Sequence, residues 1–502
     1  MVGLYFAVMA ALSFYGLHRY ALLALYYRGQ SNGDPLPAGR FEDLPRVTVQ
    51  LPVFNERFVV EALIEAVCRL DYPREKLDIQ VLDDSNDETR SVARQAVERM
   101  AWAGEPIRYF HRAQRNGYKA GALDAGLTEA DGELIAVFDA DFTPPADFLR
   151  RTVDYFCDPK IGMVQARWGF RNREQSLLTR VQAMLLDGHF VFEHGARFRS
   201  GRFFNFNGTA GVLRKQTIED AGGWQFDTLT EDTDLSYRAQ LKGWKFVYAP
   251  NIVADSELPL DVASFQVQQA RWAKGLMQTA IKLLPRLLAA ELPLRVKTEA
   301  FFHLTANVSY PLMALMSALL VPAMLIRFEH WDGRLLWLDG PLFLATFSSL
   351  ASFYLLAQRE LGVPNWRRRA NLIPSMIALG IGLTLSNAAA VIEAWMGRRT
   401  PFERTAKYSS DPRRLSQARR FYGAGAGWLP WANLLCASYF AAALVLSLAL
   451  GAWGTTPFLA LFAYGFGWTG LLALRQSQQR LAERPLHAGL GETQARSSAL
   501  SA

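Results

Sequence analysis

Residues 421–474 run for 54 positions without a single Asp, Glu, Lys or Arg. A bilayer core takes about 20 apolar residues per helical crossing, so a run of this length holds two crossings. GAWGTTP at 451–457 supplies the turn between them. Residues 1–18, 300–326 and 340–358 are likewise free of Asp, Glu, Lys and Arg, which brings the expected spans to five. No basic segment precedes the first run and no small-residue cleavage site ends it, so it reads as a retained anchor.

A sixth apolar run, 370–392, lies between Arg367-Arg368-Arg369 and a basic stretch at 397–420 that holds eight basic and two acidic residues. Basic loops stay cytoplasmic, and a full crossing here would export one of the two. Residues 370–396 are therefore read as an interfacial or re-entrant element; the alternative is a sixth true span. On this reading 28–299, both basic stretches and the tail from 476 to 502 face the cytoplasm of a plasma (inner) membrane. The segments 327–339 and 451–457 face outward.

Charge separates along the chain in the same way. Residues 28–299 carry 35 basic and 38 acidic side chains, and the remainder 19 and 9, so the overall charge of +7 comes from membrane-flanking segments. A basic nucleic-acid-binding domain is excluded as a first reading. Cys68, Cys157 and Cys436 show no paired spacing, and His189 and His194, five apart, miss the i, i+4 ligand register; both sets read as structural.

Within 46–141, RVTVQLPVFNE, LDIQVLDDSND, IRYFHR and ELIAVFDADF alternate with stretches of helical periodicity. This order implies an open, largely parallel sheet with its ligand site beyond the carboxyl ends of the strands. No GxGxxG or Walker loop is present. Asp83-Asp84 and Asp139-Ala140-Asp141 occur at such strand ends, and two hard oxygen ligands on one turn suit Mg²⁺ or Mn²⁺ bridging to phosphates. Taken singly, each acidic cluster is equally well a turn or a helix cap. A third cluster, Thr230-Glu231-Asp232, precedes SFQVQQARWAKG. There Arg271 has the charge to neutralise a diphosphate and Trp272 a flat face for a sugar ring, although both residue types also anchor helices at membrane interfaces.

In order, Asp83-Asp84, Asp139-x-Asp141, Thr230-Glu231-Asp232 and QQARW (268–272) resemble the D, DxD, D, Q(Q/R)xRW signature of processive family 2 glycosyltransferases. PVFNE (52–56), KAGAL (119–123), FNGTAGVLRK (206–215) and GGWQFDTLTEDTDLSYRAQLKGWKF (222–246) are similar in wording to the cellulose-synthase-like glucomannan and mannan synthases. PFERTAKY (401–408) resembles, loosely, the gating loop that covers the donor in cellulose synthase. NGTAG departs from the Cys-containing motif of that enzyme.

The resemblance implies an α/β GT-A fold, a Rossmann-like nucleotide-sugar domain at 28–299, inserted in an α-helical multi-span membrane domain formed by 1–27 and 300–475. It implies an inverting hexosyltransferase that polymerises sugar from GDP-mannose or UDP-glucose into a β-1,4 chain such as a (gluco)mannan or glucan. The alternative is a non-processive transferase acting on a lipid. The implied roles are Asp83 and Asp84 on the nucleoside, Lys119 on the diphosphate, Asp139 and Asp141 on Mg²⁺ or Mn²⁺, and Asp232 as general base. Glu231, Gln268, Gln269 and Arg271 would contact substrate, and Trp272 would stack under the growing polysaccharide's terminal sugar. A transporter reading would place ionisable residues inside spans, and the clearest, Asp339 and Glu393, sit near ends.

Overall fold

The computed structural model describes residues 1–30, 33, 35–331, 339–398, 400, 405, 407 and 427–482. Most of the basic stretch 397–420, residues 332–338 of the 327–339 segment and the tail beyond 482 lie outside them.

Seven strands build one sheet: β1 (Val47–Val53), β2 (Leu77–Asp83), β3 (Ile107–His111), β4 (Leu134–Val137), β5 (Ile161–Phe170), β6 (Gly211–Arg214) and β7 (Lys245–Ser256), in the order β3-β2-β1-β4-β6-β5-β7. β1 pairs in parallel with β2 and β4, β2 with β3, and β5 with β7. β6 alone among these runs antiparallel to both its neighbours, β4 and β5. β1 and β2 are buried along their whole length, because helices cover both faces of the sheet. The parallel half brings the ends of β1, β2 and β4 to one rim, where the chain carries Glu56, Asp84, Asp139 and Asp141 just beyond them.

Five helices are long and apolar enough to cross a membrane: Val2–Arg28, Leu294–His330, Asp339–Glu360, Leu429–Ala449 and Thr456–Gln479. They cover the five expected runs, and the last helix continues to Ala482, past the expected start of the tail. The 370–396 run forms two helices, Ile373–Gly382 and Thr384–Trp395, which belong to a pair bent by 44°. Both ends of the run are tied to the layer that carries the sheet. Arg369 binds Glu174 at 2.6 Å, while Glu393 and Thr400 bind Lys274 at 2.7 and 2.9 Å.

A 28-residue helix, Val262–Ala289, carries the QQARW segment between the sheet and the membrane helices. Its apolar face packs on Leu304, Val391 and Ala394. The three cysteines are free. His194 is fully buried against the Asn205 carbonyl at 3.1 Å, and His189 bonds Glu193 at 2.8 Å and Asn207 at 3.3 Å, so both histidines tie their helix to the neighbouring segment.

Candidate active site

A cavity of about 150 Å³ opens at the rim, lined among others by Asp84, Lys119, Asp139, Asp141, Glu231, Asp232, Gln268, Arg271 and Trp272. Nine of the eleven expected site residues therefore meet in one place, although they come from segments up to 188 positions apart in sequence. Asp83 and Gln269 are not among the lining residues. The pleat turns successive side chains to opposite faces, so adjacent aspartates part company. Asp83 accepts the Ser85 amide at 2.8 Å and the Tyr109 hydroxyl at 2.6 Å, which fixes the loop from below. Asp84 is gripped by Arg112 through two bonds of 2.8 and 2.6 Å. On the helix, Gln268, Arg271 and Trp272 share a face at i, i+3 and i+4, and Gln269 points about 100° away.

The FNGTAG segment acts as a brace for the carboxylates. Thr209 Oγ1 accepts the Asp139 amide at 2.9 Å, and the Gly208 carbonyl accepts Lys119 Nζ at 2.9 Å. Gly208 has φ +78°, and a Cβ there would lie 2.9 Å from Asp232 Oδ2 and 3.3 Å from Lys119 Nζ. A larger residue there would crowd the Asp232 carboxylate and the Lys119 ammonium. Gly275 has the same function on the opposite side, since a Cβ would meet Thr230 Cγ2 at 2.6 Å and push the QQARW helix off the acidic turn.

Glu231 and Asp232 open a helix, Glu231–Leu241, whose amino end favours negative charge. Asp234, two positions on, turns away and pairs with Arg238 and Lys282 at 2.7 and 2.9 Å. Burial, reinforced by the Glu231 charge, pushes Asp232 up to about 7, although Lys119, the Thr233 amide and Arg271 pull the other way. Burial also acts to raise Asp139, but Lys119 at 2.6 Å and the charge of Lys407 outweigh it and hold this carboxyl below the usual range. Two acids in one cleft thus separate into a strong anion and a group able to take a proton near neutrality. Burial acts to lower Lys119, but Asp139 and Glu231 outweigh it, so the ammonium is firmly charged. Arg271 is lowered by burial, with Glu231, Asp232 and Asp139 opposing.

Lys407 and Thr405 also line the cavity, and neither is among the site residues expected from the sequence. Lys407 Nζ lies 2.6 Å from Asp141 and 3.3 Å from Glu56, which raise its pKa against the effect of burial. The signal was present in PFERTAKY, but its place in the cleft depends on a contact 266 residues away in sequence. Ser256 completes the shell of Asp141 at 3.0 Å.

The donor set fits a hard divalent cation of one particular kind. Asp139 and Asp141 each already face a positive charge, yet no cluster of three His, Cys, Asp or Glu able to hold a metal occurs among the described residues. Two carboxylates make an incomplete shell, which suits an ion whose remaining ligands are phosphate oxygens and water.

Residues 134–358 match a family model described as glycosyl transferase family group 2. The chain is similar to glucomannan 4-beta-mannosyltransferase 1 of Cyamopsis tetragonoloba, 40% identical over 296 residues, 57% of this chain and 56% of the relative. It is also similar to glucomannan 4-beta-mannosyltransferase 1 of Oryza sativa subsp. japonica, 46% identical over 251 residues, 48% of each. The chain thus spans about half the length of the curated relatives it matches. In fold it is similar to a mannosyltransferase from Pyrobaculum calidifontis, solved with GDP-Man and Mn²⁺. That likeness has a TM-score of 0.52 at 20% identity and covers 78% of this chain and 99% of that one. With its GT-A-like sheet, its acidic rim and its membrane-length helices, this chain carries a family 2 glycosyl transferase domain.

Proposed function

We propose that the protein is a membrane-embedded, inverting, processive β-glycosyltransferase. It extends a β-1,4-linked polysaccharide, a (gluco)mannan or glucan, from GDP-mannose or UDP-glucose. The observation that carries this reading is the gathering of Asp232, a half-buried carboxylate whose surroundings push it up to about 7, with Lys119, Asp139 and Arg271 in one cavity. The likeness to glucomannan 4-beta-mannosyltransferases favours a mannosyl donor, and the ligands of the Pyrobaculum protein agree with a sugar nucleotide and a divalent cation, Mg²⁺ or Mn²⁺.

In the reaction the acceptor hydroxyl attacks the anomeric carbon while the bond to the nucleoside diphosphate breaks, which inverts the configuration. Asp232 takes the hydroxyl proton, a contribution of about 10²–10⁴-fold for a positioned base. Lys119 and Arg271 stabilise the negative charge that develops on the leaving diphosphate. Asp84 holds the nucleoside, with Asp83 fixing the loop beneath it, and Glu231 and Gln268 contact the sugars. Trp272 stacks under the acceptor's terminal ring. Asp139 and Asp141 would hold the divalent ion, which when bound supplies Lewis-acid stabilisation of the diphosphate.

The catalytic domain faces the cytoplasm of a plasma (inner) membrane, held there by Arg367–Arg369 and the 397–420 stretch. A 44° bend falls far short of a chain reversal, and both ends of 370–396 are bonded to the catalytic layer, which favours an element lying in the interface over a sixth span.

Purified full-length protein given each of several labelled sugar nucleotides with Mg²⁺ or Mn²⁺ tests the reading. A sized, linkage-analysed β-1,4 polymer is expected. A single added sugar removes processivity, and no transfer from any donor overturns the enzyme assignment.

A further inference from the structure

A second cavity, of about 220 Å³, lies away from the rim, at the junction of sheet and membrane helices. Tyr26 reaches it from the last turn of Val2–Arg28, and Glu360 from the end of Asp339–Glu360. Arg167 comes from β5, Tyr248 from β7, and Arg199 from the short helix Gly195–Arg199. Two membrane-length helices thus end at this cavity, at the depth where headgroups meet water.

Tyr248 is only 2% exposed, yet its hydroxyl has no hydrogen-bond partner among the described residues. The buried tyrosines Tyr5, Tyr72 and Tyr237 do have one: Asp339, the Pro45 carbonyl and His303 respectively. An unmade bond of this kind costs about 1–3 kcal/mol, so it calls for a missing acceptor. Tyr248, Arg167 and Arg199 together line the cavity. Arg167 donates through Nε to the Pro250 carbonyl at 3.1 Å, and its two terminal nitrogens make no hydrogen bond among the described residues. The one acid in the lining, Glu360, is already held by Arg359 at 2.8 Å and the Tyr27 hydroxyl at 3.0 Å. What the lining offers is a hydroxyl donor and a guanidinium fork without an acceptor. That combination matches phosphate oxygens.

We propose that this cavity binds a phosphate group, presented by the headgroup of an anionic phospholipid, with Tyr248 and Arg167 as donors. The site is separate from the sugar-transfer cleft. Basic pockets where spans meet a cytoplasmic domain are places where such headgroups lodge.

The test compares the full-length protein with Tyr248→Phe and Arg167→Gln, each in detergent with phosphatidylglycerol, phosphatidylcholine or inorganic phosphate. Retained lipid is read by native mass spectrometry and protection by thermal unfolding. Wild type is expected to retain phosphatidylglycerol over phosphatidylcholine, and each variant to weaken that retention by about tenfold or more, the worth of one charge-assisted hydrogen bond. Tyr248→Phe removes one oxygen and keeps the packing, so without lipid it is expected to unfold with wild type; should Arg167→Gln not fold, Tyr248→Phe decides alone. Equal retention of phosphatidylglycerol by wild type and Tyr248→Phe, or no preference by wild type, overturns the proposal. Protection by inorganic phosphate, lost in Tyr248→Phe and without phosphatidylglycerol retention, keeps the phosphate chemistry and overturns the lipid source.

Discussion

Two of the places where opposite charges meet in this molecule treat them in opposite ways. Among the membrane helices, Arg327 and Asp339 are both wholly buried and meet through two bonds of 3.0 and 2.9 Å. Around them the Ala323 carbonyl takes Arg327 Nε, while Tyr5 and Thr455 donate to Asp339 at 3.0 and 3.2 Å. The guanidinium also lies 4.7 Å from the Tyr5 ring centroid. That cluster is saturated, and it clamps the first, second, third and fifth membrane-length helices together. At the cleft, lysines rather than a bidentate arginine face Asp139 and Asp141, and Asp232 is held partly protonated near neutrality. A lysine is a point charge on a flexible stem and gives up a carboxylate more readily than a fork does. Saturation makes a clamp; incomplete pairing leaves groups able to exchange partners and protons.

The sharpest way to break this comparison is to remove charge at each end. Asp232→Asn is expected to lower sugar transfer by about 10²–10⁴-fold while leaving nucleotide binding near wild type; near-normal turnover would remove the base assignment. Asp339→Asn is expected to leave the donor affinity alone but to destabilise the fold by about 3–5 kcal/mol, because it strands a buried guanidinium. Thermal unfolding in detergent checks this, and the double replacement Arg327→Met with Asp339→Leu is expected to recover most of the loss.

A pH series sharpens the contrast further. Because the Asp232 pKa is raised to about 7, its base form is lost as pH falls below that value, so turnover is expected to fall about tenfold per unit on the acid side. The sign for stability is the reverse: the preference of the fold for protonated Asp232 favours folding at low pH and is lost as pH rises through about 7. A turnover profile flat from pH 5 to 8 would contradict this. The smallest effect is expected from Gly208→Ala, where the left-handed backbone alone costs about 1–2 kcal/mol. The new methyl group also crowds Asp232 and Lys119, so turnover should drop more than stability predicts, a split seen by comparing activity with unfolding midpoint.

Much of this was legible in the chain. Local chemistry wrote the strand and helix alternation of 46–141, and the five apolar runs required helices because lipid satisfies no backbone groups. The acidic strand ends announced a ligand rim. Other features were not legible, for definite reasons. Asp83 and Asp84 look alike in sequence, and only the strand pleat decides which one meets the cavity. Arg112, Tyr109 and Ser256 carry no motif; strand pairing and a distant loop set them beside the aspartates. Lys407 sat within a recognised segment, yet nothing local gives its approach to Asp141 and Glu56.

By itself, then, the sequence determined the division into membrane helices and an α/β insert, and the residue types available for the chemistry, since period, charge and run length are local properties. The tertiary structure alone decided which carboxylate is pushed up toward neutrality. The pKa of Asp232 depends on burial and on Glu231, Lys119 and Arg271 gathered around it, and the residues that set a field in space need not be neighbours along the chain.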